Sequence, residues 1–125
     1  MKILGLEDLL QLHALVIEAT GGGSGLRDLG RLESAIASQT QNVFGSDLFP
    51  SIPEKAAALI RSIVADHAFI DGNKRTAMLA GLTLLEINNI SFNAKKGEIE
   101  DFAVRIANEK LDVPVIAEWL KNHVN

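Results

Sequence analysis

The residues best suited to chemistry lie in one short stretch, His67 to Thr76, which reads H-A-F-I-D-G-N-K-R-T. It contains an imidazole, a carboxylate, an amide and two cations, although the chain around it is mostly aliphatic. An imidazole can accept a proton near neutral pH, and a carboxylate can hold Mg²⁺. Lysine and arginine side chains bind phosphate groups. The stretch therefore contains the side chains that phosphoryl transfer requires.

A simpler interpretation makes the same stretch a polar turn between two helices. His67 would then be a hydrogen-bonded core residue, Asp71 a helix cap and Gly72 a residue at positive φ. The combination favours a site, because Lys74 and Arg75 come directly after a helix start, where acidic side chains are preferred. An anionic ligand bound to the free N–H groups of that helix would balance the two cations.

Length and composition predict one all-α domain that spans residues 1–125. The chain is 47% hydrophobic and only 5% aromatic, which is typical of helix-on-helix packing. A net charge of −4 argues against direct binding to nucleic acid or to an anionic membrane. No cysteine is available for a disulfide, a thiolate metal site or a nucleophile. Glu7 and Asp8 interrupt any signal-peptide core and no apolar run spans a bilayer, so we expect a cytoplasmic protein.

Apolar spacing and capping residues predict the elements that must position the stretch. Helices are expected over residues 6–19, 29–40, 54–68, 74–88 and 98–110, with a short last helix after 112. The spacing places His67 on the buried stripe of the third helix and predicts a hairpin of the third and fourth helices through residues 69–73. Gly81 would allow another helix to approach closely.

Three further features have more than one interpretation. The glycine-rich segment 21–25 lacks the G-K-[S/T] ending of a phosphate-binding loop, so it is interpreted as a flexible connector. Residues 41–53 break the helical pattern with one glycine and two prolines, and they form either a hinge packed on the core or a flap that grips a partner. His13 lies on an apolar stripe and is interpreted as structural.

The stretch resembles the signature of the Fic superfamily, H-P-F-x-[D/E]-G-N-G-R-x-x-R. It is closer to the variant H-x-F-x-D-[A/G]-N-K-R of the Doc ("death on curing") toxins. The segments R-D-x-G-x-L-E-S-A at 27–35 and E-K-A-A-A-L at 54–59 are also similar to Doc-type proteins. The resemblance covers nearly the whole chain, and it implies a compact Fic/Doc-type bundle of about six helices with a short flap loop.

The resemblance also implies a role for each matching residue. His67 corresponds to the general base, Phe69 to the apolar anchor of the loop and Asp71 to the Mg²⁺ ligand. The phosphate-binding residues would be Gly72, Asn73, Lys74 and Arg75. The flap that holds the target segment would comprise Phe44, Gly45, Leu48 and Phe49. ATP and Mg²⁺ are the implied cofactors.

Two departures from the adenylylating Fic pattern indicate which transfer to expect. Lys74 replaces a glycine that leaves space for phosphates, and Met78 replaces a phosphate-binding arginine. Doc-type members with this lysine resemble kinases that transfer the γ-phosphate of ATP to a threonine of elongation factor Tu and so arrest translation. Protein adenylylation, or a non-catalytic module that binds a peptide, remain the alternatives.

The implied regulation is by a second protein. Many Fic proteins carry an inhibitory helix, [S/T]-x-x-x-E-[G/N], but no glutamate of this chain is followed by Gly or Asn. The resemblance instead implies a cognate antitoxin that binds in trans through a helical segment.

Overall fold

The computed structural model describes all residues from Met1 to Asn125 and contains six α-helices and one two-stranded hairpin. In chain order the elements are α1 (Leu6–Thr20), α2 (Leu29–Ser38), β1 (Asn42–Val43), β2 (Ser46–Asp47), α3 (Ile52–Asp66), α4 (Asn73–Ile87), α5 (Glu98–Glu109) and α6 (Val113–Lys121). The predicted all-α bundle of about six helices is thus confirmed. No helix of the chain combines the length and the apolar character needed to cross a bilayer.

Capping side chains decide where the helices begin. The Asp28 carboxylate accepts a hydrogen bond from the Arg31 N–H at the start of α2, as the sequence predicts. Ser51 caps α3 by accepting from the Glu54 N–H, and Pro53 occupies the first turn, where its missing N–H costs no hydrogen bond. Helix α3 therefore begins at Ile52, two residues before its predicted start.

Helix α3 is the centre of the bundle and packs against α2, α4 and α6. Its middle, residues 56–60, is entirely buried, and three alanines there let neighbouring helices approach. Gly81 of α4 faces Ile60, and a Cβ on Gly81 would lie 2.6 Å from Ile60 Cγ1. Since real Cβ contacts are not this short, a side chain at position 81 would force the buried Ile60 side chain to move. The α3–α4 hairpin carries the H-A-F-I-D-G-N-K-R-T stretch between its arms.

The connection between α2 and α3 contains an antiparallel hairpin in a segment for which irregular structure was predicted. Val43 pairs with Ser46, and the two residues between them, Phe44 and Gly45, have φ of +50° and +82°. Positive φ at both central positions is typical of the tight turn whose twist matches the strands. The hairpin leaves the Phe44 ring fully exposed at its tip.

Candidate phosphate-binding active site

His67 directly follows α3 and lies outside the buried stripe. Its φ of +50° places it in the left-handed region as the C-cap of α3, and its N–H donates to the Ile63 carbonyl at 3.3 Å. The prediction that His67 lies on the buried face is therefore wrong, because the cap conformation turns the side chain out of the helical register. The imidazole is exposed and available to a substrate.

The His67 side chain lines two adjoining cavities. The first, here called the loop cavity, measures about 470 Å³ and is lined by His67, Ile70 to Arg75, and Glu100, Ala103 and Val104 of α5. The second measures about 240 Å³ and lies between α3 and α5, with Arg61, His67 and Lys110 among its otherwise apolar lining residues. Five of the predicted site residues thus meet His67 around one opening: Asp71, Gly72, Asn73, Lys74 and Arg75.

The first turn of α4 has free N–H groups and nearby cations. Its N-cap, Gly72, has φ of +76° and contributes no capping side chain, and the turn contains no acidic residue. The N–H groups of Asn73, Lys74 and Arg75 have no acceptor within the protein. Lys74 and Arg75 are exposed and form no ion pair. Free N–H groups and unpaired cations beside one cavity are suited to bind phosphate.

Phe69 and Asn73 stabilise the loop between the helices. Phe69, for which the resemblance implies the role of apolar anchor, is 1% exposed. Its N–H donates to Asn73 Oδ1 at 3.0 Å, and Asn73 Nδ2 donates back to the Phe69 carbonyl at 2.9 Å. Both polar atoms of the Asn73 side chain are therefore engaged with the backbone. The residue contributes to the cavity through its free N–H.

Asp71 presents an exposed carboxylate to the loop cavity. Its Oδ1 accepts from the Gly72 N–H at 2.9 Å, and its Oδ2 accepts from the Gly23 N–H at 3.3 Å. Each oxygen keeps a lone pair free, since a carboxylate oxygen can accept more than one bond. No group of three or more His, Cys, Asp and Glu side chains occurs that would hold a metal by itself. A single carboxylate fits Mg²⁺ that arrives with nucleotide phosphates, because those phosphates supply most of its ligands.

His13 supports this site, although the sequence predicts only a structural role for it. It is buried, and its ring stacks on the Phe69 ring with centroids 3.9 Å apart and planes 5° from parallel. Its Nε2 lies 2.9 Å from the Asp71 carbonyl oxygen. A carbonyl only accepts, so Nε2 carries the hydrogen. The apolar spacing around His13 gave no sign of this long-range bond.

The glycine-rich segment 21–25, predicted to be a flexible connector, joins α1 to α2, and it runs beside the loop together with the residues after it. The Ala68 carbonyl accepts from the N–H groups of both Arg27 and Asp28, at 2.8 and 3.0 Å. Ile70 N–H donates to the Gly25 carbonyl at 3.2 Å. These bonds join the chain after α1 to the chain after α3. The segment therefore contacts the loop that carries the site residues, although none of residues 21–25 lines the loop cavity.

The predicted flap does not line the loop cavity. None of Phe44, Gly45, Leu48 and Phe49 is among the lining residues. The base of the hairpin is held by the buried Lys55, whose Nζ donates to the Gln39 carbonyl at 2.8 Å and lies 3.4 Å from Asp47 Oδ2. Lys55 precedes His67 by 12 residues on α3, so it lies about 18 Å away along the helix axis.

Met78, the second departure from the adenylylating pattern, is 3% exposed and belongs to the hydrophobic core. It lies one turn beyond the cations of α4 and does not line the loop cavity. The position that would carry the last arginine of the adenylylating signature therefore provides no charge to this site.

Comparisons with known proteins agree on one family. A family model described as the Fic/DOC family matches residues 3–85. A protein of Mycolicibacterium smegmatis named Toxin Doc is 38% identical over 121 residues, which cover 95% of this chain and 91% of that protein. A protein of Escherichia phage P1 named Protein kinase doc is 30% identical over 122 residues, which cover 97% of this chain and 94% of that protein.

Proposed function

Because the chain belongs to the Fic/Doc family, we propose that it is the toxin of a toxin–antitoxin pair and acts as a protein kinase. It transfers the γ-phosphate of ATP to a threonine of elongation factor Tu and arrests translation. The names of the two relatives, a toxin and a protein kinase, support this proposal. The observation that carries it is the convergence of His67, Asp71 and the free N-terminus of α4 on one cavity.

The phosphates of ATP bind at the first turn of α4. The free N–H groups of residues 73–75 donate to phosphate oxygens, and the side chains of Lys74 and Arg75 neutralise their charge. Asp71 would hold Mg²⁺ together with those phosphates, and the bound ion would supply further charge neutralisation. Glu100 on the opposite wall of the cavity disfavours an unneutralised anion there, which is consistent with a metal-bound nucleotide.

His67 acts as the general base. It accepts the proton of the threonine hydroxyl while the hydroxyl oxygen forms its bond to the γ-phosphorus and the bond from that phosphorus to the ADP oxygen breaks. Lys74 and Arg75 stabilise the negative charge on the phosphoryl group and on the departing ADP. The exposed position of the imidazole lets a protein substrate reach it without opening the core.

Protein adenylylation is the nearest alternative. It requires the α-phosphate next to the hydroxyl, in a pose that the resemblance associates with a glycine at position 74 and an arginine at position 78. Lys74, in place of that glycine, lines the loop cavity at the first turn of α4, and Met78 is buried in the core. Both observations favour transfer of the γ-phosphate.

The antitoxin binds in trans through an amphipathic helical segment. An open cavity of about 560 Å³ lies along α1 and α4, and its apolar lining residues include Ile3, Leu12, Leu15 and Ile87. Ile3 and Leu15 are 42% and 57% exposed. An apolar groove between two helices suits a third helix that presents an apolar face.

Induced expression tests the enzymatic toxin against a non-catalytic binding module. We expect the chain to arrest growth and protein synthesis, and His67→Ala to relieve both effects, because only an enzyme needs the base. Asn108→Ala is the control, since Asn108 is exposed on α5 outside both cavities. Growth arrest that persists in His67→Ala would contradict the enzymatic proposal and support a binding module.

A further inference from the structure

Asp71 is held from one side by a single continuous segment, α1 and the glycines after it. His13 of α1 donates to the Asp71 carbonyl at 2.9 Å, and the Gly23 N–H donates to Asp71 Oδ2 at 3.3 Å. The main chain and the side chain of one residue are thus fixed by groups ten positions apart. Neither His13 nor Gly23 lines the loop cavity.

We propose that this segment, residues 13–23, is the positioning element for the Asp71 carboxylate, and that Gly22 and His13 are its critical positioning residues. The inference rests on the proposed function only for its consequence, which is binding of Mg²⁺ with a nucleotide. The arrangement of the carboxylate itself is testable on the protein alone.

Gly22 determines where the carboxylate can lie. A Cβ at this position would be 2.6 Å from Asp71 Oδ2 and 3.2 Å from its Cγ. A methyl group therefore displaces the carboxylate and stretches its bond to the Gly23 N–H. The neighbouring Gly21 is a matched control, since its φ of +76° is also in the left-handed region, like the +110° of Gly22, but nothing lies within 4 Å of its Cβ position. Both alanine variants are strained at the backbone, and only one contacts Asp71.

His13 determines the direction of the Asp71–Gly72 peptide. Its bond to the Asp71 carbonyl fixes the peptide that precedes the free N–H groups of α4. The stacked Phe69 ring in turn fixes the imidazole plane. Removal of the Nε2–H donor leaves the Asp71 carbonyl without its hydrogen-bond partner. His13→Gln keeps a donor, whereas His13→Met keeps apolar volume without one.

Calorimetric titration with Mg²⁺ and a non-hydrolysable ATP analogue tests the proposal without any turnover. We expect Gly22→Ala to weaken binding about tenfold or more, the usual cost of losing support behind a metal ligand, and Gly21→Ala to bind like the wild type. Without Mg²⁺ the two variants should bind the analogue equally. Equal affinities for the Mg²⁺ complex would overturn the proposal.

Hydrogen exchange at the Gly72 amide, which donates to Asp71 Oδ1, gives a readout that needs no nucleotide. Faster exchange in Gly22→Ala than in Gly21→Ala supports the positioning element, and equal exchange overturns it. If the wild type fails to bind the analogue, the proposed function fails while this comparison still decides the inference. If the glycine variants do not fold, His13→Met against His13→Gln decides it by the same two measurements, and equal behaviour overturns it.

Discussion

The sequence and the structure assign different roles to the Asn73 side chain. The resemblance implies a phosphate-binding amide, whereas the structure engages both of its polar atoms with Phe69. Asn73→Ala removes two hydrogen bonds of 3.0 and 2.9 Å, at roughly 1 kcal/mol each. The better helix propensity of alanine recovers less than about 0.7 kcal/mol. We expect a net loss of about 1.5 kcal/mol in the free energy of unfolding, which is roughly tenfold in the equilibrium constant.

Urea denaturation without nucleotide measures this loss, because the two hydrogen bonds exist in the free protein. Asn108→Ala on the exposed face of α5 is the control, since no side-chain hydrogen bond is lost there, and it should unfold at or above the wild-type urea concentration. An Asn73→Ala variant with wild-type stability and weakened nucleotide binding would refute the structural role. The side chain would then act on phosphate, as the resemblance implies.

Three further outcomes follow from the packing and the charges. Gly81→Ala should lower the free energy of unfolding by about 1–3 kcal/mol through overpacking. In an Ile60→Ala background the same substitution should cost clearly less, and an equal loss in both backgrounds would contradict the close contact between Gly81 and Ile60. Lys55→Met should accelerate amide exchange in the hairpin, because the ion pair with Asp47 and the hydrogen bond to the Gln39 carbonyl are lost. Unchanged exchange would mean that the Lys55 ammonium does not stabilise the hairpin. Hydrogen bonds to the Trp119 carbonyl, the larger cause, and to the Glu98 carboxylate raise the pKa of His123 above its ordinary value of 6.5. Protonated His123 therefore stabilises the fold fully below about pH 6.5, and this stabilisation is lost as the pH rises through the raised pKa. His123→Gln should remove that loss on the alkaline side, and an identical pH dependence of stability in wild type and variant would contradict the pair.

Local sequence signals are sufficient to predict the helices and the residues that make up the site. Asp28 and Pro53 mark helix starts by mechanisms that act within one turn, so the sequence alone predicted both. The residues from Asp71 to Arg75 lie next to one another in the chain. A turn between two helices is enough to bring these neighbouring residues to one cavity, so the sequence could predict their proximity.

The contacts that support the site depended on distant parts of the chain. The bond from His13 to Asp71 spans 58 residues, and the bond from Gly23 to Asp71 spans 48. A backbone N–H leaves no trace in a sequence pattern, so the sequence does not predict that the glycine-rich segment contacts Asp71. The prediction that His67 lies on the buried face is wrong because apolar periodicity assumes helical φ, whereas this residue has φ of +50°.

The identity of the transferred group tests the central claim most directly. The purified chain, Mg²⁺ and a cell extract are incubated with ATP labelled on the γ-phosphate in one tube and on the α-phosphate in another, and His67→Ala serves as the control. The account predicts γ-label on a protein of the size of elongation factor Tu, no α-label, and no transfer by His67→Ala. Transfer of the α-label instead would contradict it, because Lys74 would then permit the adenylylating pose.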